Sequence, residues 1–417
     1  MTAESNPAQS EETSFPKSQI RVLLLEGIHP SAQALVLEQG FQLEVVSGAL
    51  SESELVDRIR DIHVLGIRSK TQVTARALAE GRRLLALGAF CIGTNQIDLQ
   101  AASLSGVAVF NAPFSNTRSV AELVMAEIVA LSRKLVDRSQ EMHAGRWHKV
   151  ASSCREIRNK TLGIIGYGHI GTQVGVLAET LGMNVVFYDI VARLPIGNNR
   201  PLGSMQELFE ASDFVTLHVP QTPETRGLIG AHELEQMKPG SYLLNLSRGT
   251  VVDIDALAQA LKASHLGGAA VDVFPEEPES NGDGFTSPLR GLQNVILTPH
   301  VGGSTEEAQE AIGREVASAL VKFVNTGATT GSVNFPEVEP PTLRGRHRIL
   351  NVHQNVPGVL SKINRIVSDV QANIESQILA TDPRIGYLVM DLNREVSGEV
   401  RANMSRLETS IRTRVLY

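Results

Sequence analysis

Cysteine is nearly missing from this chain: Cys91 and Cys154 are the only two in 417 residues. That excludes a disulfide framework and suits a reducing compartment. Positive charge is in deficit too, with 38 Lys and Arg against 45 Asp and Glu, a net charge of −7. Nucleic acid or an anionic membrane surface is therefore not expected as the main partner. No apolar run approaches the ~18 residues of a membrane-spanning helix. The first 18 residues, MTAESNPAQSEETSFPKS, have neither the basic start nor the apolar core of a secretory signal, and are predicted to be a disordered tail. The expected location is cytoplasmic. No short-period repeat is visible, and no metal site is assigned.

Hydrophobic residues make up 42% of the chain, enough for large cores, and the length exceeds what one core usually serves. From Gln19 to Asn111 the short apolar runs IRVLLLE, FQLEVV, HVLGI, LLALG and VAVF alternate with helix-length segments. That pattern predicts parallel strands covered on both faces. A single long helix is predicted from Ser115 to Val136, capped by Asn116 or Thr117. A second alternating series follows: LGIIG, NVVFYD, DFVTLHV, SYLLNL, GAAVDVF and NVILTPH. A helix over Thr305 to Val324 then leads to NFPEVEPPTLRG, whose prolines and acids mark a boundary. The tail from His347 to Tyr417 reads β-α-β-β-α-β, with helices starting near Gly358 and Val396. The expected class is α/β, with two doubly wound parallel sheets plus a small α+β module.

LGIIGYGHIG sets Gly166, Gly168 and Gly171 in G-x-G-x-x-G spacing, after a strand and at the start of a helix. The first glycine permits the turn, the second lets backbone approach a pyrophosphate, and the third packs helix on strand. The amides of His169 and Ile170 would then face phosphate. Asp189 ends the next strand, where a carboxylate can accept both ribose hydroxyls and repel a 2′-phosphate. With Ile190 and Val191 following, the expected cofactor is NAD. The plainer alternative for Asp189 is a strand-end turn residue.

Arg248 in NLSRG, Glu277 in VDVFPEEP and His300 in LTPHVGG follow three later strands. Ligands of open α/β sheets sit beyond such carboxyl ends. Oxidising an alcohol by hydride transfer needs a base for the hydroxyl proton, and imidazole titrates in the right range. Glu277 can hold the other ring nitrogen, and Arg248 can pair with a substrate carboxylate and polarise the C2 oxygen. Taken singly, each is more often a cap, a solvated side chain or a wet loop residue.

GIIGYGHIG, NLSRGTVVD, GAAVDVFPEEP and LTPHVGGSTEEA together resemble the D-isomer-specific 2-hydroxyacid dehydrogenases, over the chain from about residue 19 onward. The resemblance implies that Arg248, Glu277 and His300 are catalytic and that Asp272 lies near the nicotinamide. Leu246, Ser247, Arg248, His300, Val301, Gly302 and Gly303 join the cofactor-binding set. It also implies a flavodoxin-like substrate domain, residues 19–115 with 303–335, into which a Rossmann nucleotide domain, 116–302, is inserted.

Within that family LEGIH, RSKT, FCIGTNQID, NAPFSNTRSVAE and SVNFPEV are similar to the bacterial branch acting on 3-phosphoglycerate. Its reaction yields 3-phosphohydroxypyruvate, the first step of L-serine biosynthesis, and 2-oxoglutarate is a further candidate acceptor. Arg68, Ser69 and Lys70 would take the phosphate, with Asn111 and Ser115 closing the site. That branch often has Arg where this chain has Lys70, which keeps the charge but not the bidentate geometry. Surface basic residues in a turn are the alternative.

VHQNVPGVLSKINRIVSDVQANIES resembles an ACT domain, ferredoxin-like, over 347–417 after a linker at 336–346. Carried over, His353, Asn355 and Asn373 would bind L-serine between two subunits, making the protein a homo-oligomer, a tetramer by resemblance. Asn373 could instead be a helix-end turn residue, and Trp147 is either an inter-subunit anchor or ordinary core. Two other readings remain. One is a glycerate or hydroxypyruvate dehydrogenase. The other is an NAD-sensing scaffold akin to dehydrogenase-related transcriptional corepressors, which keep the three catalytic residues but have no ACT module.

Overall fold

The computed structural model describes residues 14–278, 282–342, 346–393 and 397–417. The chain divides into two compact units, Met1–Pro113 with Gln309–Tyr417, and Phe114–Ala308.

In the first unit, β1 (Arg21–Leu24), β2 (Gln42–Val45), β3 (Val64–Ile67), β4 (Ala86–Ala89) and β5 (Ala108–Asn111) form a parallel sheet in the order β2-β1-β3-β4-β5. β3 and β4 are buried at every position, as strands covered on both faces must be, whereas edge strand β2 is largely exposed. Glycines inside the sheet let neighbours close in. A Cβ on Gly66 would lie 2.5 Å from Leu24 Cδ2, and one on Gly88 2.6 Å from Val316 Cγ1 of the helix Glu306–Thr326. Past that helix, Asn334 works as a substitute strand edge. Its Nδ2 donates to Val107 O at 2.9 Å and its Oδ1 accepts from Val109 N at 2.8 Å, beside β5.

The same unit holds an antiparallel sheet of β13 (His347–Gln354), β14 (Ile374–Thr381), β15 (Ile385–Leu392) and β16 (Ser410–Leu416), ordered β14-β15-β13-β16. Two helices, Val359–Asp369 and Ser397–Met404, accompany it; the start expected near Val396 lies outside the described residues. This module shares a core with the first sheet. Leu350, Val352, Tyr387 and Val389 pack in one cluster with Phe110, Leu320, Phe323 and Phe335. Polar contacts reinforce it. Tyr387 donates to Gly327 O at 2.6 Å, and Arg412 donates to Leu84 O.

Within the expected linker at 336–346, Val338 is buried and its carbonyl accepts from Thr329 N at 2.9 Å. The disordered tail expected over residues 1–18 is corrected for residues 14–18, and residues 1–13 lie outside the described residues. Ser14 N donates to Tyr417 O at 3.3 Å, Phe15 packs on the His63 ring, and Lys17–Gln19 forms a 3-10 turn.

In the second unit, β6 (Thr161–Ile165), β7 (Asn184–Tyr188), β8 (Arg200–Pro201), β9 (Phe214–Leu217), β10 (Tyr242–Asn245), β11 (Gly268–Val271) and β12 (Val295–Leu297) form a parallel sheet in the order β12-β11-β10-β9-β6-β7-β8. The order reverses between β6 and β9, the switch point at which such sheets bind ligands. The single helix expected over Ser115–Val136 is two. Thr117–Arg133 ends where Lys134 turns left-handed, at φ 50°, and Leu135–His143 starts anew. Among the described residues no helix is long and apolar enough to cross a membrane.

Candidate active site

The phosphate cradle stands at the switch point. Gly166 has φ 92°, and a Cβ there would collide with the His218 carbonyl that follows β9. A Cβ on Gly171 would collide with Gly166 O, so helix and turn can meet only without side chains. Gly168 is the N-cap of the helix His169–Thr180. It has no side-chain cap, and nothing lies within 4 Å of a Cβ built on it. The first amides of this helix, at His169 and Ile170, thus stand without a side-chain cap at the positive end of a helix dipole. That donor set fits a dinucleotide pyrophosphate. Phe114 packs its ring 3.9 Å from that of His169.

Asp189, just past β7, is held by its own surroundings. Its Oδ2 accepts from Tyr167 N at 2.9 Å and its Oδ1 from Val191 N at 2.9 Å. Sequence reading weighed only Ile190 and Val191 behind it. Arg193, four residues further on, brings Nε to 3.5 Å from Asp189 Oδ2.

The loops after β10, β11 and β12 carry the other candidates. After β10, Asn245 Oδ1 accepts from Ser247 N and Ser247 Oγ, and its Nδ2 donates to Arg248 O, which fixes the turn Leu246–Arg248. A Cβ on Gly249 would collide with Phe274, and would stand 2.6 Å from Pro275 N. Only glycine lets the Arg248 turn approach the segment bearing Glu277 so closely. Arg248 donates to Ser247 O at 2.7 Å, and its charge is felt by both Glu277 and His300.

His300 Nδ1 lies 2.8 Å from Glu277 Oε2, while Glu277 Oε1 accepts from Phe274 N at 3.1 Å. The Glu277 contact raises the imidazole pKa above its usual value, against the opposing effect of burial. Burial pushes Glu277 up, but hydrogen bonds from His300 and Phe274 and the nearby positive charges outweigh it and hold the carboxyl below its ordinary range. A carboxylate on Nδ1 makes that nitrogen the N–H donor and leaves Nε2 to exchange a proton with a bound alcohol.

His300 sits at φ 55°, a strained conformation for a residue with a Cβ. Asp272 supplies the restraint. Its backbone O accepts from His300 N at 2.8 Å, its Oδ1 from Thr298 Oγ1 at 2.6 Å and Val301 N at 2.8 Å, and its Oδ2 from Gly302 N at 2.8 Å. Gly302 and Gly303 follow because side chains there would press on Asp272 Oδ2 and Asn116 Nδ2.

Arg68, Ser69, Lys70 and Asn111 belong to the first unit, and Ser115 to the second. Arg68 is partly buried, Ser69 and Lys70 are exposed, and Asn111 Nδ2 donates to Ile92 O at 2.6 Å. A residue missed in the sequence organises this loop. The Glu26 carboxylate accepts from Lys70 N at 3.0 Å and Thr71 N at 2.8 Å, and its carbonyl accepts from Arg68.

In the four-stranded module His353 is buried, with Nδ1 3.0 Å from Asn351 Oδ1, and burial lowers its pKa. Asn355 donates from Nδ2 to Asp382 O at 2.6 Å. Both stand at the end of the sheet where His353 pairs with Gly386. Asn373 precedes Ile374, which pairs with Leu392 at the opposite end. At a strand rise of about 3.3 Å per residue, the two ends are roughly 20 Å apart. One chain does not bring the three together. Trp147 is 81% exposed, which removes the core alternative for it. Among the described residues no cluster of His, Cys, Asp or Glu could hold a metal ion.

Residues 125–302 match the family model for the D-isomer specific 2-hydroxyacid dehydrogenase, NAD binding domain, and residues 349–412 that for the AHAS small subunit-like ACT domain. The chain is 57% identical over 405 residues to D-3-phosphoglycerate dehydrogenase of Dictyostelium discoideum, covering 97% of this chain and 99% of that one. With the Escherichia coli K12 enzyme of the same name it shares 49% identity, covering 97% and 100%. Its fold is similar to the crystal structure of D-lactate dehydrogenase from Aquifex aeolicus complexed with NAD and lactic acid, with a TM-score of 0.66, 27% identity, and 76% of this chain covered against 100% of that one. The chain belongs to the NAD-dependent D-isomer-specific 2-hydroxyacid dehydrogenases, among the D-3-phosphoglycerate dehydrogenases.

Proposed function

We propose that this protein oxidises D-3-phosphoglycerate to 3-phosphohydroxypyruvate, the first step of L-serine synthesis, with feedback control by L-serine. The observation that carries the chemistry is the His300–Glu277 pair, 2.8 Å apart in a loop held by Asp272. NAD supplies the hydride acceptor when bound in the Gly166–Gly171 turn. His300 Nε2 takes the C2 hydroxyl proton as the C2 hydride leaves, and the new C2 carbonyl forms from that O–H electron pair. Glu277 stabilises the imidazolium so produced, and Arg248 pairs with the substrate carboxylate. The loop of Arg68, Ser69 and Lys70 takes the phosphate, with Asn111 and Ser115 beside the substrate.

Turnover of a panel of phosphorylated and unphosphorylated 2-hydroxy acids tests this reading. D-3-Phosphoglycerate is expected to be the best substrate, and His300→Ala to lower kcat roughly 10²–10⁴-fold. His300→Ala turnover within a few-fold of wild type would contradict the assignment.

Serine binding by His353, Asn355 and Asn373 requires a second copy of the chain, since these residues stand at opposite ends of one sheet. A two-fold pairing of modules builds such a pocket, and a homo-tetramer is the proposed assembly. Exposed Leu135, Met142 and Trp147 offer apolar surface for further subunit contact. A cytoplasmic location fits a chain with only two cysteines, Cys91 and Cys154. Asn355→Ala is the variant to use, because His353 is buried and its removal would open a cavity. Calorimetry is expected to find serine binding in wild type and weaker binding in the variant, and no binding to wild type would refute the effector.

A further inference from the structure

The helix Thr117–Arg133 carries a buried acid that none of the chemistry above uses. Val120, Val124, Glu127 and Leu131 recur at helical spacing on its buried face. At Glu127, 3% exposed, both carboxyl oxygens are sealed from solvent and accept no hydrogen bond. An ionised carboxylate is strongly disfavoured in such a place, whereas a neutral acid needs only one acceptor for its O–H.

The fold offers that acceptor nearby. This helix packs on β11 and β12. Helical side chains lean toward their own N-terminus. At that end of the face, Val120 Cγ2 lies 3.7 Å from a Cβ built on Gly302, and Asp272 Oδ2 lies 2.9 Å from it. Asp272 Oδ1 already accepts two hydrogen bonds, but Oδ2 accepts only that of Gly302 N, so a lone pair there remains open.

We propose that Glu127 is a positioning residue for the reaction. It keeps its proton and donates it across one buried water to Asp272 Oδ2, completing the carboxylate that ties down the His300 loop. The proposal rests on His300 as the base. Burial, and then the Asp272 charge, push the Glu127 carboxyl up to about 8. Below that pH the acid is neutral and holds the anchor. Above it two like charges oppose each other beneath the loop, and the anchor weakens. The charged groups on its own helix, Arg118, Glu122 and Arg133, and those on the packed helix His169–Thr180, His169 and Glu179, do not shift it. Asp272, with His300 beyond, is the charged neighbour that does.

Infrared spectroscopy of the full-length wild-type protein reads the proton directly. A protonated-carboxyl stretch is expected to persist at neutral pH and to disappear between about pH 7 and pH 9, and to be missing from Glu127→Gln. In kinetics, Glu127→Leu is expected to lower kcat/KM about tenfold at neutral pH through the orphaned acceptor. Glu127→Gln, which keeps an N–H donor but cannot ionise, restores most of that loss and abolishes the fall in kcat/KM near pH 8. The proposal is overturned by a wild type without the titrating band, by a Gln variant that keeps the wild-type alkaline limb, or by a Leu variant as active as wild type. The infrared result does not depend on His300, so its failure and a failure of the His300 assignment are told apart.

Discussion

Glu26 and Lys70 are joined across the first unit: Glu26 Oε2 accepts the Lys70 N–H at 3.0 Å, while Oε1 takes that of Thr71 at 2.8 Å. Glu26 does this from a left-handed backbone, φ 60°, and is nearly buried. A carboxylate spent on two amides shapes the loop and presents Lys70 outward. Glu26→Ala leaves those amides without acceptors, which costs about 1–3 kcal/mol. The expected loss of kcat/KM falls mainly on D-3-phosphoglycerate, and much less on an unphosphorylated 2-hydroxy acid. Equal losses on both would make Glu26 a stability residue only.

Cofactor choice is expected to depend on Asp189 and Arg193 together. With Asp189 in place its carboxylate repels a 2′-phosphate and occupies Arg193. Asp189→Ala releases the guanidinium as well as removing the repulsion, so NADP should gain on NAD. Adding Arg193→Ala should take back part of that gain. The ratio of kcat/KM for the two cofactors measures both steps, and a ratio unmoved by Asp189→Ala would place the adenosine ribose elsewhere.

Arg348 and Asp391, opposite each other on β13 and β15, form a doubly hydrogen-bonded pair at 2.7 and 2.8 Å with almost no exposure. Arg348 also donates to Thr326 O at 3.0 Å and Pro341 O at 2.7 Å, joining the module to the helix Glu306–Thr326. Arg348→Met strands a buried carboxylate, for an expected destabilisation of about 3–5 kcal/mol. Arg348→Met with Asp391→Leu should recover much of it. Denaturation midpoints decide, and an Arg348→Met midpoint equal to wild type would mean the pair contributes nothing.

The two doubly wound sheets were legible because strands covered on both faces must be written as unbroken apolar runs, and the glycine turn because close backbone approach leaves no other residue type. Arg248, Glu277 and His300 were legible as strand-end residues. What their neighbours do was not. Asp272, carried over as a nicotinamide neighbour, spends its carboxylate on the His300 loop, and no local pattern announces a contact across some thirty residues. Nothing local in the sequence marks Arg348, since its partner Asp391 is found only by pairing β13 with β15. The break at Lys134 escaped notice because Lys has good helix propensity and its left-handed turn is a tertiary choice. Nothing local marks Glu127 within its helical pattern, and it is buried only because its helix packs on other elements, the helix His169–Thr180, β11 and β12 among them.

The central claim, that His300 is the base and Glu277 sets its proton affinity, is tested most directly by the pH dependence of kcat/KM for D-3-phosphoglycerate oxidation in wild type and Glu277→Gln. Neutral imidazole is the acceptor, so activity should be lost as pH falls through the His300 pKa, which the Glu277 hydrogen bond raises above the ordinary value. Removing the charge while keeping the shape should move that acid limb to lower pH, with a lower plateau. An acid limb at the same pH in both proteins would contradict the account.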